Sequence, residues 1–265
     1  PLPASALAPS PVLVMRPAAQ AAPVVFASAH SGRDYPAGFV AAARLDALRL
    51  RRSEDCFVDE LFSAAPECGM PLARATFPRA YCDANREAWE LDPAMFDDAL
   101  PPWVNTASLR VGAGLGTIAR VVASGEPLYR EKLRIAEAEA RVPACWQPFH
   151  DALRGLVEET AARFGGCRLI DCHSMPASAL PPRGAADIVL GDAHGTACAP
   201  ELVQLVEQAL RGLGLSVRRN DPYAGGYITR HYGRPRLRRH ALHIEINRGL
   251  YMDEARIDYL PEFDR

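Results

Sequence analysis

Ionisable side chains occur where several short apolar segments of this sequence end. His30 follows the letters VVFASA, Asp171 and His173 follow CRLI, and Glu245 lies inside ALHIEIN. In an open α/β sheet, ligands bind where loops leave the carboxyl ends of the strands. If these segments are neighbouring strands, their imidazoles and carboxylates meet at one edge of the sheet. The pattern therefore indicates a site with chemical activity.

Two neutral histidines and one carboxylate hold the metal in many catalytic zinc sites, with water in the open position and a separate carboxylate as the base. One histidine at the end of a strand is more often a hydrogen-bonded structural residue than a ligand. Two of them, with an acid between, favour a mononuclear zinc hydrolase. Cys172 lies next to His173, points to the opposite face of a strand and cannot form a catalytic dyad with it.

Three other segments have both a functional and a structural interpretation. The letters CDANR end a strand-like segment with Asp83, Asn85 and Arg86, and this arginine suits an anionic substrate, although Asn-Arg is also an ordinary turn. The letters SED at 53–55 are, on their own, typical of a helix cap. The segment VGAGLGT, 111–117, has glycines spaced GxGxG instead of GxGxxG. We interpret it as a flexible substrate loop and not as a nucleotide site.

Apolar periodicity predicts the elements that position these side chains. Strands are predicted at 24–29, 167–175, 186–192 and 241–251, with a strand or two short ones at 73–86, and helices at 127–165 and 199–214. The stretch 41–65 also has helical spacing, and the letters SED offer a cap between two segments of it. The longest helical region is expected to break at Pro143 and to stop at Gly165. Strands that alternate with helices predict an α/β sheet with several parallel strands.

The composition is that of an ordinary globular protein, with 49% hydrophobic and 23% charged residues among 265. A net charge of −2 and a pI near 6.4 give no electrostatic basis for binding nucleic acid or an anionic membrane. No apolar run approaches the roughly 20 residues of a membrane helix. Seven scattered cysteines without a CxxC pair fit a reducing compartment. We therefore predict a soluble cytoplasmic protein.

One domain is predicted over residues 24–265, because the sequence contains no repeat and no signal of a second domain. The Pro/Ala-rich residues 1–23 lack a basic segment followed by an unbroken apolar core. We expect them to be a flexible lead-in or an arm on the surface and not a signal peptide.

Eight short motifs occur in an order that resembles the N-formylglutamate amidohydrolase family. They are AHSGRDYP, SEDCFVDELF, CDANR, GLGT, DCHSMP, DIVLGDAHG, NDPYAGGYIT and HIEINRGLYMDE, and the similarity runs from about residue 24 to 254. The family is related to the zinc carboxypeptidases and to deacylases such as aspartoacylase. The resemblance implies a single α/β domain with a mixed, twisted central sheet of about eight strands and helices on both faces. It also implies hydrolysis of N-formyl-L-glutamate to formate and L-glutamate, a step of histidine degradation.

The resemblance also implies a set of metal ligands. His30 and His173 are similar to the two imidazole ligands of one zinc ion, with another divalent metal as the alternative. Carboxypeptidase-like enzymes place a glutamate three residues after the first histidine, but Arg33 occupies that position here. We predict that Asp55 is the acidic ligand instead. The other candidates for it are Glu54, Asp34 and Asp59.

Further roles follow from the same resemblance. Asn85 and Arg86 resemble the pair that holds a substrate's terminal carboxylate in carboxypeptidases, and Asp83 is expected to steer this pair from behind. Glu245 resembles the general base that takes a proton from water and passes it to the departing amine. Arg110 or Arg86 is expected to stabilise the oxyanion.

The glutamate part of the substrate is a dianion, so a second cation is expected at the site. The candidates for it are Arg110, Arg230 and Arg248. Asp171 is expected either to orient His173 or to face the core. A small anionic N-acyl amino acid is the one partner that the sequence indicates. Two alternatives stay open: a deacylase or amidase of another N-acyl amino acid, and a binding relative that has lost catalysis.

Overall fold

A computed structural model describes residues 10–122, 125–179 and 186–263. These residues form two compact units. The first comprises the described parts of Pro1–Leu13, Ala29–Glu54 and Arg74–Ala152, and the second those of Val14–Ser28, Asp55–Ala73 and Leu153–Arg265. Among the described helices, none combines the length and the apolar character that a membrane crossing needs.

Seven strands form one mixed sheet in the order β1-β3-β2-β4-β7-β5-β6. They are β1 Val12–Met15, β2 Val24–Ser28, β3 Leu72–Ala75, β4 Cys167–Met175, β5 Ile188–Gly191, β6 Val217–Arg219 and β7 Arg239–Asn247. Strand β4 is parallel to β2 and β7, β5 is parallel to β6, and β5 is antiparallel to β7. The α/β class with a mixed central sheet is therefore confirmed, with seven strands in the described residues where about eight were expected.

The remaining elements are short apart from two helices. The α-helices are α1 Ala37–Ala42, α2 Ala47–Arg51, α3 Val58–Leu61, α4 Leu109–Gly112, α5 Ile135–Arg141, α6 Gln147–Phe164, α7 Pro200–Gly212 and α8 Tyr227–Tyr232. The 3₁₀ turns are Pro93–Met95, Ala177–Ala179, Pro235–Leu237 and Arg248–Leu250, and β8 Met252–Asp253 pairs with β9 Asp258–Tyr259.

Strands β4 and β7 position most of the predicted chemistry of the second unit. They pair over nine residues, and this register places Asp171 opposite His243 and His173 opposite Glu245. Residues two apart in a strand share a face, so the four side chains lie together on one face of the sheet. The opposite face carries apolar packing. Its core cluster is Ile188, Leu190, Cys198, Val203, Val217 and Leu242.

The helical region around Pro143 is continuous but not uniform. The α-helical hydrogen bonding stops at Arg141, as expected from the proline, and a π-helical segment, Val142–Trp146, connects α5 to α6. Proline removes an amide donor and crowds the preceding turn, and a widened turn relieves this without ending the helix. Helix α6 ends before Gly165, whose φ is 70°.

The stretch 41–65, predicted as two helical segments with SED between them, contains the end of α1 followed by the two short helices α2 and α3. Asp46 caps α2 by accepting the amide of Arg49 at 2.8 Å, whereas α3 begins after Phe57. The letters SED at 53–55 are therefore not the N-cap of α3. The first unit buries an extended apolar cluster. Its members include Phe39, Leu50, Leu91, Met95, Phe96, Ile118, Leu128 and Tyr129.

The predicted N-terminal arm is described only in part. Residues 1–9 lie outside the described residues, and Val12–Met15 form β1 at one edge of the sheet. Lateral pairing with a neighbouring strand thus orders part of a segment whose composition indicated a loose lead-in.

Candidate active site

Five side chains of the second unit form a continuous acid–imidazole chain. Asp55 Oδ2 lies 2.7 Å from His173 Nδ1, and Asp171 Oδ1 lies 2.8 Å from His173 Nε2. Asp171 Oδ2 lies 3.0 Å from His243 Nδ1, and Glu245 Oε1 lies 2.9 Å from His243 Nε2. Asp171 is thus shared by the two rings, one through each of its oxygens.

Burial strengthens these contacts, since every member of the acid–imidazole chain is at most 7% exposed. Burial alone would lower the pKa of His173, but the carboxylates of Asp171 and Asp55 outweigh it and raise that pKa well above its usual range. The pKa of His243 is also raised, because its bonds to Asp171 and Glu245 outweigh burial and the nearby charge of His173. The two imidazoles in turn overcome burial and lower the pKa of Asp171.

The second oxygen of Asp55 is occupied by Arg248. Its Nη2 donates to Asp55 Oδ1 at 3.1 Å, and its Nε donates to Ser174 Oγ at 3.1 Å. Burial works against the charge of Arg248, but Asp55 and its neighbours raise the pKa of the guanidinium. The structure therefore places Arg248, a candidate for the second substrate cation, on the predicted acidic ligand.

The side chains of the acid–imidazole chain include donor groups suited to a divalent metal ion. His and Asp side chains of the described residues form groups of three whose donor atoms lie within 4.8 Å of one another, and Asp171, His173 and His243 are one such group inside the second unit. Imidazole and carboxylate are donors that zinc accepts. A ring whose second nitrogen is held by a carboxylate, as His173 is by Asp171, is the usual arrangement of a metal-binding histidine.

In the first unit, Asp83 is the centre of a second buried cluster. Its Oδ1 lies 2.7 Å from His30 Nε2 and accepts the amide of Asn85 at 2.8 Å. Arg79 Nη2 donates to its Oδ2 at 3.1 Å, and Arg86 Nη2 lies 3.6 Å from the same oxygen. Burial opposes ionisation, but the charges of Arg86, His30 and Arg79 hold the pKa of Asp83 well below its usual range. Asp83 therefore contacts His30 as well as the Asn-Arg pair.

The main chain that carries Asn85 and Arg86 is held by the helical region after Pro143. Trp146 Nε1 donates to Arg86 O at 2.9 Å, and His150 Nε2 bonds to Ala84 O at 2.7 Å. The donor of the first bond lies in the π-helical segment, where widened turns often mark functional sites. Segment 83–86 is thus fixed by residues some sixty positions later in the chain.

The guanidinium of Arg86 is buried and directed. Its Nε donates to Leu115 O and its Nη1 to Asn85 O, each at 2.8 Å. Burial lowers its pKa to about 10 although Asp83 is close, and the charge of Arg110 adds to the lowering. Arg110 itself is exposed on α4.

The glycine-rich segment 111–117 has a packing role at its last glycine. A Cβ on Gly116 would lie 2.2 Å from Glu90 O, so a side chain does not fit there. Thr117 is buried, its carbonyl accepts the amide of Asp83 at 2.7 Å, and Leu115 O accepts Arg86. The second half of the predicted substrate loop is therefore buried main chain that fixes Asp83 and Arg86.

Two of the other predicted candidates, Glu54 and Arg230, have local partners. Glu54 Oε1 accepts Tyr35 Oη at 2.7 Å and Arg51 Nε at 3.1 Å, whereas Asp34 is exposed and Asp59 lies in α3. Arg230 is exposed and donates to Gly225 O at 3.2 Å. Of the four acids considered, Asp55 is the one found against His173.

Sequence reasoning missed His243 and Arg79. His243 precedes Glu245 by two residues in a strand, which is the same spacing that linked Asp171 to His173, so alternation was an available signal. Arg79 carries no such signal. Cys172 is fully buried, and burial raises the pKa of its thiol well above the usual range, which agrees with its exclusion as a nucleophile.

The comparisons with known proteins give one consistent class, that of amidohydrolases. Residues 22–252 match the family model described as N-formylglutamate amidohydrolase. The chain therefore belongs to the N-formylglutamate amidohydrolase family.

Individual relatives agree with this assignment. The chain is 29% identical over 211 residues to an N-formylglutamate deformylase of Pseudomonas putida (76% of this chain, 71% of that protein). It is 31% identical over 238 residues to an N-formylglutamate deformylase of Pseudomonas aeruginosa (88% and 83%).

Solved structures agree as well. The crystal structure of N-formylglutamate amidohydrolase from Ralstonia eutropha JMP134 has a TM-score of 0.89 and 41% identity, covering 95% of this chain and 91% of that one. A gene product of Agrobacterium tumefaciens, with a TM-score of 0.66 and 20% identity over 94% and 88%, shares the fold.

The central position of Asp171 leads to a stability prediction. In metal-free protein, Asp171→Asn is expected to lower the free energy of unfolding by about 3–5 kcal/mol, because two buried imidazoles lose the carboxylate between them. The pKa of Asp171 is lowered in the folded state. The stability that the Asp171 carboxylate contributes is therefore present above about pH 4 and shrinks as the pH falls below that value. Urea unfolding with chelator present measures both effects.

The matched control for this measurement is Thr229→Val. It removes only the hydroxyl that donates to Asp171 Oδ2 at 3.3 Å and is expected to cost about 0.5–1.5 kcal/mol. Equal losses in the two variants would show that the shared carboxylate has no special weight.

Proposed function

We propose that this chain hydrolyses the N-formyl amide of N-formyl-L-glutamate to formate and L-glutamate, as a step of histidine degradation. Membership of the family and the names of its relatives support the substrate. The observation that carries the proposal in the structure is the buried Glu245 on β7, whose Oε2 has no hydrogen-bond partner within the described residues. A carboxylate with one such oxygen is suited to take a proton from water.

We also propose that one divalent metal ion, zinc, is held by His30, Asp55 and His173. The support is the hydrogen bond that each imidazole makes to a carboxylate inside its own unit: Nε2 of His30 is held by Asp83, and Nε2 of His173 by Asp171. In both rings Nδ1 is the nitrogen that we assign to the metal. When bound to such donors, zinc acts as a Lewis acid that acidifies water and polarises a carbonyl.

The protein residues have separate tasks in the reaction. Glu245 accepts a proton from the attacking water as the new C–O bond forms at the formyl carbon, and it then gives this proton to the amine nitrogen as the C–N bond breaks. Asp83 and Asp171 keep the histidine rings in one orientation. The overall reaction consumes one water molecule and the N-formyl amide and releases formate and L-glutamate.

Recognition of the substrate is assigned to the first unit. Asn85 and Arg86 hold the α-carboxylate, and the backbone carbonyls that accept Arg86 Nε and Nη1 fix the direction of its fork. Arg110, whose charge acts on Arg86, supplies the second cation or stabilises the oxyanion. We assign Arg248 to Asp55, since that contact occupies its Nη2.

The proposal includes a cytoplasmic location. Its support is that none of the seven cysteines forms a disulfide and that six of them are buried, which fits a compartment where thiols stay reduced.

The direct test of the function is release of the free amino acid by the purified, zinc-supplied protein, with formate measured as the second product of the two formyl substrates. N-formyl-L-glutamate is expected to be hydrolysed fastest. Two comparison substrates test its parts: N-acetyl-L-glutamate changes only the acyl group, and N-formyl-L-methionine has a side chain of similar length without the charge. Faster hydrolysis of the acetyl compound would indicate a deacylase of another N-acyl amino acid, and inactivity on all three would indicate a binding relative.

The metal assignment gives a second test. His30→Ala, His173→Ala and Asp55→Ala are expected to lose tight binding of the divalent ion, measured by elemental analysis and calorimetry. Asp83→Asn is expected to weaken it by about 10- to 100-fold, because it loosens a ligand without removing it. Glu54→Ala is the control next to Asp55, since Glu54 is bonded to Tyr35 and Arg51. Full metal content in either histidine variant would refute the ligand set.

The carboxylate clamp gives a third test. Arg86→Lys keeps the charge but loses the planar fork, so kcat/KM should fall by about ten- to more than a hundredfold, corresponding to about 1.5–3 kcal/mol. The loss should largely vanish for a substrate whose α-carboxylate is converted to an amide. Arg79→Lys is the matched control, because Arg79 contacts the same Asp83 and should affect acid and amide equally. If Arg86→Lys lost the same factor in kcat/KM on the acid and on the amide, Arg86 would support the fold instead of gripping the carboxylate.

A further inference from the structure

The two carboxylate oxygens of Glu245 are in different situations. Oε1 lies 2.9 Å from His243 Nε2, whereas Oε2 is buried and makes no hydrogen bond to the residues that the structure describes. Leaving a buried carboxylate oxygen unsatisfied costs free energy, so such an atom calls for a functional explanation. The difference between the oxygens is created by one neighbour, His243.

His243 is itself fixed from its other side. Its Nδ1 lies 3.0 Å from Asp171 Oδ2, its ring centroid lies 4.4 Å from that of His173, and the side chain is 4% exposed. Because both ring nitrogens are bonded to carboxylates, the ring cannot turn without breaking both contacts. Its orientation is therefore set by Asp171 and passed on to Glu245.

We infer that His243 is the positioning residue of Glu245: by donating from Nε2 to Oε1 it locks the carboxylate, so that Oε2 is the atom that exchanges the proton. This inference rests on the proposed function, in which Glu245 is the base. It adds that one carboxylate, Asp171, sets the orientation of two groups. Its Oδ1 holds the proposed ligand His173 directly, and its Oδ2 holds His243, which in turn orients the base.

Two conservative substitutions separate the two bonds of His243. The amide nitrogen of glutamine reaches about as far as Nε2 of histidine, so His243→Gln keeps a donor for Glu245 and loses the contact with Asp171. The amide of asparagine reaches about as far as Nδ1, so His243→Asn keeps a contact with Asp171 and loses the donor for Glu245. Both variants remove the imidazole and leave a similar polar group in the same buried place.

The kinetic experiment uses the zinc-loaded variants, with metal content and unfolding measured in parallel. His243→Asn is expected to lower kcat for N-formyl-L-glutamate at least about tenfold further than His243→Gln, with KM little changed, because the chemical step and not binding depends on the base. A purely structural role would instead lower stability and kcat in the two variants alike. Equal kcat values would therefore overturn the inference.

A double-variant cycle with Glu245→Gln sharpens the result. If His243 acts through Glu245, His243→Asn should cause little further loss of kcat once the base is gone. Full additivity of the two losses would overturn the inference, because it would mean that His243 acts on the reaction by another route.

A structural readout keeps the inference separate from the proposed function. In crystal structures of the metal-free proteins, the Glu245 carboxylate should keep one orientation in wild type and His243→Gln and rotate in His243→Asn. An unchanged carboxylate in His243→Asn would overturn the inference whatever the activity. Absence of formate release by wild type, with the rotation observed, would instead remove the proposed substrate and leave the positioning role standing.

Discussion

The arrangement of the second unit depends on one buried carboxylate, Asp171, that is bonded to two imidazoles at once. A fully buried acid is unfavourable unless its charge is compensated, and here His173 and His243 supply the compensation. The same bonds remove the rotational freedom of both rings. Charge neutrality and geometry are therefore satisfied by the same contacts, and neither ring can be altered without affecting the other.

The sheet makes this interaction possible through register. Parallel strands that pair without a bulge keep equivalent residues side by side, and the β4–β7 ladder brings an acid next to an imidazole at two successive levels. A shift of either strand by one residue would turn its two site side chains to the apolar face and separate them from the pair on the other strand. The long, buried pairing of these strands is thus a requirement of the site as well as of the core.

Local pattern and long-range contact contributed differently to what the sequence could predict. The strands that carry Asp171, His173 and Glu245 follow from apolar segments with strand spacing, and the order of motifs indicated the family that the comparisons establish. His243 obeys the same alternation, but its type alone does not distinguish a site imidazole from a core one. The letters SED indicated a division of 41–65 into two helical segments, but α3 begins only after Phe57, which is not a typical capping residue. In particular, the contact that uses Asp55 joins residues 118 positions apart.

The π-helical segment before α6 has a consequence for how the family can vary in length. Trp146 and His150, which bond to the backbone of 84–86, lie at the end of this widened turn and just after it, so the turn sets their angular position. Removing one residue between Val142 and Trp146 would rotate everything after it by about 100° and move both donors off their carbonyls. Evolution can therefore exchange side chains in this turn more freely than it can change the number of residues, and an alignment gap here would mark a relative whose Asn-Arg segment is supported in another way.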